Sequence, residues 1–304
     1  MKNLKAAAIL VLTAIIINSC SDKEETNTTP SAVSSPKLIF KFKFDSTQIR
    51  LNNLGQLALM PAGHSGQSPK FNLMSAHYIE LAPDSLTPLG FGKILYRAAE
   101  TTLGGTPAID FDSSNVVSEG QVFYSVALSN VTPGTYKWLR VSLAYQNYDI
   151  RYRFFYLGNP GNPIDNSGTI ASFIGFNTYI RSYHVKDSVV ALNANRFQGY
   201  WAFETNYSGF GSISQGQAPP GATTVPNPLA FTSPVPAGSC VVTGAFTSPF
   251  TIIGNETHDL VINVSLSTNK SFEWKDFNAN GIYEPLNGDT VVDMGVRGLI
   301  PFVQ

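Results

Sequence analysis

The stretch QVFYSVALSNVTPGTYKWLRVSLAYQ, Gln121 to Gln146, decides the fold class. Apolar residues recur in it with a period near two, the signature of a half-buried strand rather than a helix. Leu139, Val141 and Leu143 fall on one face, and Lys137, Arg140 and Ser142 interrupt the apolar run. Pro133-Gly134 divides the stretch, so it reads as two strands around a turn.

The same pattern continues on both sides. LIFKFKF, Leu38 to Phe44, alternates strictly from Phe40, and NLMSAHYIEL, Asn72 to Leu81, reads as another strand. DIRYRFFY, TIASFIGF, TYIRSYHV and RFQGYWAFET follow, then CVVTGAF, DLVINVSLS and KSFEWK. Many short strands punctuated by Gly, Pro and Asn predict an all-β protein. The expected fold is an antiparallel β-sandwich, immunoglobulin- or transthyretin-like, with long Pro/Gly-rich loops.

Two segments interrupt the pattern. LGNPGNPIDNSG, Leu157 to Gly168, is dense in turn formers, and Thr205 to Asn255 holds no Asp, Glu, Lys or Arg. Within the latter, Ser208 to Gly238 reads as a long loop packed over sheet edges. The chain thus divides into 37–156 and 169–304, either as two packed units or as one continuous domain.

The N-terminal segment reads as an address. Lys2 and Lys5 precede the apolar run Ala6 to Ile17. That run is shorter than the roughly 20 residues a membrane-spanning helix needs. Ile17-Asn18-Ser19-Cys20 resembles a bacterial lipobox, which implies a signal peptide over 1–19 and acylation at Cys20. More than one acyl chain is needed for stable anchoring. The acidic run behind the cysteine, Asp22-Lys23-Glu24-Glu25, resembles the surface-export signal of Bacteroidota lipoproteins. The rest of 20–36 is rich in Ser, Thr and Pro and reads as a flexible tether. The expected location is the outer membrane, lipid-anchored and facing outward.

Lys and Arg number 20 against 21 Asp and Glu, so no basic field exists for nucleic acid. Charged residues make up 13% and aromatics 12%, a balance that suits an extracellular β-protein. With Cys20 acylated, Cys240 has no partner for a disulfide. It opens an apolar strand and reads as a buried small hydrophobe.

One loop carries a metal-like pattern. In DFNANGIYEP, Asp276, Asn278 and Asn280 alternate ahead of Gly281, as in the first half of a calcium loop. Ile282 would give a backbone carbonyl, and Glu284 stands at the ninth position. The twelfth is Asn287, so the bidentate carboxylate is absent or comes from Asp289 or Asp293. The competing reading is an Asx-rich turn that needs no ion. His64, His77, His184 and His258 form no ligand motif, and GHSG, Gly63 to Gly66, falls short of a nucleophile elbow. Trp138, Trp201 and Trp274 lie in alternating strands, where core packing competes with sugar stacking.

KLIFKFKFD, NLMSAHYIEL and ALSNVTPGTYKWLRVSL, in that order, resemble the MbnP-like family. The resemblance implies a periplasmic or lipid-anchored β-sandwich associated with copper, and spans Lys37 to Tyr156. The chain departs from that family after Tyr145, and no ligand residue transfers. The leading expectation is a non-enzymatic surface module that binds a glycan or a protein, or is structural, with calcium as a stabiliser. Copper handling is the second expectation, and a hydrolase with an unrecognised site the third.

Overall fold

The computed structural model describes residues 35–52, 54–85, 87–156, 161–218, 236 and 239–304. In chain order the strands are β1 Lys37–Asp45, β2 His64–Gln67, β3 Lys70–Ala82, β4 Lys93–Arg97, β5 Glu100–Thr101 and β6 Ala108–Asp110. Then come β7 Val122–Ala127, β8 Gly134–Phe155, β9 Pro163–Phe173, β10 Asn177–His184, β11 Val189–Phe197 and β12 Tyr200–Tyr207. The rest are β13 Phe210–Gln217, β14 Cys240–Ile252, β15 Leu260–Ser267, β16 Phe272–Lys275, β17 Thr290–Asp293 and β18 Leu299–Val303. Among the described residues there is no α-helix. The protein is an all-β sandwich, mostly antiparallel, with parallel pairing only of β1 with β15 and β6 with β10 among these strands.

A curled seven-stranded sheet is central. Its order is β13-β12-β9-β8-β3-β4, and β14 also pairs with β8. One face meets the sheet β18-β15-β1-β7 and the small sheet β17-β16-β2. In β1 the alternation works as the period demands: Leu38, Phe40 and Phe42 are buried, and Lys37 is exposed. They pack with Ile262, Val264 and Leu266 of β15 against Ile79, Leu81, Val141 and Val242. The other face meets β11-β10-β6-β5 through a second cluster, Tyr145, Phe173, Tyr183, Tyr200 and their neighbours.

β8 organises the centre, and one residue bends it. Leu139, Val141 and Leu143 face the first core, and Tyr145 faces the second. Tyr148 and Ile150 then return to the first. The break is a bulge at Ala144: Ala76 opposes Leu143 and Ser75 opposes Tyr145, which leaves Ala144 without a counterpart on β3. There β8 also changes neighbour, from β14 up to Leu143 to β9 from Tyr145 onward. A bulge raises local twist and bends the strand, and here it curls the sheet into half a barrel.

Two sequence expectations are corrected. The strands flanking Pro133-Gly134 do not form a hairpin, because β7 pairs with β1 in the outer sheet while β8 enters the central one. The segment after Ser208 is not all loop. Ser208 and Gly209 have φ of +51° and +86°, the left-handed pair of a tight hairpin turn, and join β12 to the edge strand β13. Of the two divisions the sequence left open, the strands of 37–156 and 169–304 alternate within the same sheets, and Ser35–Gln304 is one compact unit.

Candidate functional site

The loop after β16 brings together the residues singled out as oxygen ligands. The Asp276 carboxylate accepts from the N–H of Gly281 at 2.7 Å and of Asn280 at 3.2 Å, and from Ser65 Oγ at 2.8 Å. Partial burial pushes this carboxyl up, but these donors outweigh it and hold the group below its ordinary value. Asn280 Oδ1 accepts from Ile282 N at 2.8 Å. Asn278 and Asn287 each donate to Glu284 Oε2 at 3.1 Å. The Asp289 carboxylate accepts from Phe277 N at 2.9 Å and Glu284 N at 2.7 Å. Gly281, at φ +73°, permits the sharp turn. The loop is therefore closed by its own N–H donors. Asp293, weighed as the missing carboxylate, pairs instead with Arg297. Among the described residues no group of three or more His, Cys, Asp and Glu is arranged to hold a metal.

The far side of this loop walls a cavity of about 320 Å³ on the concave face of the central sheet. Tyr283 and Pro285 line it, with Phe272 of β16 and Met294 just past β17. The floor follows from strand register. Gln146 of β8 opposes Ser172 of β9, which opposes Trp201 of β12, which opposes Gly216 of β13. Residues directly across a sheet share a face, so the row presents Gln146, Ser172 and Trp201 to one side. Gly216 makes room for the indole: a Cβ there would lie 2.8 Å from the Trp201 ring. Ile150, Ile170 and Phe203 extend the apolar surface.

Cys240 also lines the cavity. Burial pushes its thiol up to about 12, so it is a neutral wall group rather than a nucleophile at physiological pH. Trp274 is core and Trp201 is cavity wall, so the tryptophans form no common platform. Three of the four histidines have separate partners. His64 pairs with Glu273 at 2.6 Å, His77 with Glu100 at 3.0 Å, and His258 with Thr257 at 2.8 Å. Glu273 also pairs with Arg50 and Arg297. Burial pushes the Glu273 carboxyl up, and its bonds to His64 and Arg50 more than offset that.

Sequence reasoning missed Gln146, Ser172 and Gln198, the polar groups of the cavity. For Gln146 and Ser172 the only signal is a polar residue on the apolar face of a strand, as in AYQNY and TIASF, while Gln198 stands in the turn between β11 and β12. Cys20 and the tether up to Ser34 lie outside the described residues. The chain matches no family model, and no curated protein or solved structure matches it either. The cavity and the loop therefore stand on their own geometry.

Proposed function

We propose that this protein is a non-enzymatic binding module, lipid-anchored through Cys20 at the outer membrane and facing outward, whose curled sheet takes a small apolar molecule. The observation behind this reading is the cavity of about 320 Å³, lined mostly by aliphatic and aromatic side chains, among them Ile, Val, Phe, Tyr, Trp and Met, with few polar groups. Its size and composition fit a small-molecule site. The raised thiol of Cys240 favours binding over covalent turnover. Calcium is proposed as a weak stabiliser of the wall, because Asp276, Asn278, Asn280, Ile282, Glu284 and Asp289 stand in one loop and offer only hard oxygen donors.

Equilibrium dialysis of the full chain with labelled naphthalene tests the binding. Saturable uptake is expected, and Ile170→Phe, which fills the floor, should abolish it while the protein still melts cooperatively. No saturable uptake by the native chain defeats the reading. Anchoring is tested separately: fatty-acid label should enter the native protein and be lost from Cys20→Ala.

A further inference from the structure

Three polar atoms of residues that line the cavity have no hydrogen-bond partner: Gln146 Oε1, Ser172 Oγ and Gln198 Oε1. Gln146 is 0% and Ser172 1% exposed. Leaving a buried polar atom unpaired costs about 1–3 kcal/mol, and such orphans are rare enough in folded proteins to need a reason. Other unpaired buried atoms are scattered over the described residues, but these three belong to the wall of one cavity, and two of them are direct neighbours across β8 and β9.

The backbone decides what kind of group each presents. Gln146 Nε2 donates to the carbonyl of Met294, and Gln198 Nε2 donates to that of Ile174 at 3.0 Å. A carbonyl only accepts, so each amide must turn its NH2 toward it and keep its oxygen as the unpaired group. The unpaired buried atoms of the cavity wall are thus two acceptors and one hydroxyl. A partner must answer them with O–H or N–H.

Charge narrows the class further. Among the described residues no Lys or Arg lines the cavity, and the one carboxylate, Asp293, is paired with Arg297 and accepts from Gly295 N at 3.0 Å. An anion would lose its hydration without gaining a counter-charge, and a cation would find its only candidate partner engaged. The remaining wall is mostly apolar, with Ser214 and the polar ends of Tyr152, Trp201 and Tyr283.

We infer that the cavity selects uncharged, largely apolar molecules, of the kind of an aromatic alcohol, with an O–H or N–H donor directed at Gln146 and Ser172. This rests on the cavity being a binding site, as proposed above.

Four probes at pH 7 separate the two claims: naphthalene, 2-naphthol, 2-methoxynaphthalene and 2-naphthoate, each by equilibrium dialysis with the full chain. The naphthol is expected to bind at least tenfold tighter than its methyl ether, which keeps the shape and lacks the donor, with the naphthoate weakest. Gln146→Met with Ser172→Ala should remove the difference between naphthol and ether. If the double variant does not fold, Ser172→Ala alone should narrow it. Equal affinity for naphthol and ether, as when water satisfies the two residues instead, overturns the donor inference and leaves the cavity reading standing. Tightest binding of the naphthoate overturns the neutral class. Binding of none of the four overturns both.

Discussion

The two faces of the central sheet are built from adjacent residues of the same strands, yet they are finished differently. Tyr145, Phe173 and Tyr200 point into the second core, and their neighbours Gln146, Ser172 and Trp201 line the cavity. In this layer the hydroxyls of Tyr145, Tyr183 and Tyr200 all have partners. Tyr183 meets Tyr200 at 3.1 Å, Tyr200 donates to Gln215, and Tyr145 donates to the carbonyl of His184. The rings pack edge-on and tilted, with Phe173 within 5.8 Å of Tyr145, Tyr183 and Tyr200. On the cavity side the polar atoms of Gln146 and Ser172 stay unpaired. The contrast separates two uses of a polar side chain in a sheet: one closes a core, and the other waits for a partner outside the chain.

The largest way to break the contrast is Phe173→Ala. It should cost about 3–5 kcal/mol in urea unfolding, as truncation of a buried aromatic does, with naphthalene affinity unchanged. A loss below about 1 kcal/mol would mean that the tyrosine layer is not tightly packed.

Deleting one hydroxyl from each face sharpens it. Tyr183→Phe should destabilise by about 0.5–1.5 kcal/mol, since a satisfied buried hydrogen bond is lost. Ser172→Ala should be neutral or slightly stabilising, because the hydroxyl it removes has no partner. Equal costs in the two melts would erase the distinction.

Acid should act on the packed side. Burial holds His77 below its ordinary pKa, more strongly than Glu100 raises it. The folded state therefore binds fewer protons than the unfolded one. The contribution is fully present above the unfolded value of about 6.5 and is lost as pH falls from there through the lower folded value. The melting temperature should drop between about pH 7 and about pH 5.5, and His77→Gln should flatten that slope. Cavity affinity for naphthalene should not follow it.

Calcium should have the smallest effect. With a dissociation constant near the millimolar range of extracellular modules, about millimolar calcium adds only a few tenths of a kcal/mol. That is a shift of about 1–2 °C in a melt, reversed by chelator. Asp276→Ala should remove the shift. Identical curves with calcium and with chelator would leave the loop as a turn closed by its own N–H groups.

Local chemistry was legible in the sequence, and partnership was not. Period-two patterns located most of the strands, because burial on one face imposes that period regardless of what covers it. LIFKFKF and DLVINVSLS were both recognisable, but nothing in either says that they pair in parallel. The Asp276 loop was found because its contacts are local in the chain, and Cys240 because its flanks are apolar. The Ser208-Gly209 hairpin was hidden because β13 is built from Gly, Ser and Gln, which lack strand preference. The unpaired state of Gln146 and Ser172 is a property of distant neighbours, and no window of sequence contains it.

The parallel pairing of β1 with β15 has a consequence for how the chain comes to be folded. Leu38 lies beside Leu260 and Phe42 beside Val264, so the innermost ladder of the outer sheet joins segments made at opposite times. Until β15 is available, β1 is a hydrophobic strand with a vacant edge, the kind of template that recruits other chains. Contacts of such long separation slow the search for the native state. A C-terminal truncation that removes Leu260–Ser267 should therefore do more than lose one strand. It should turn LIFKFKF into a nucleus for aggregation, and the nascent chain needs protection along its first strand until most of its length has emerged.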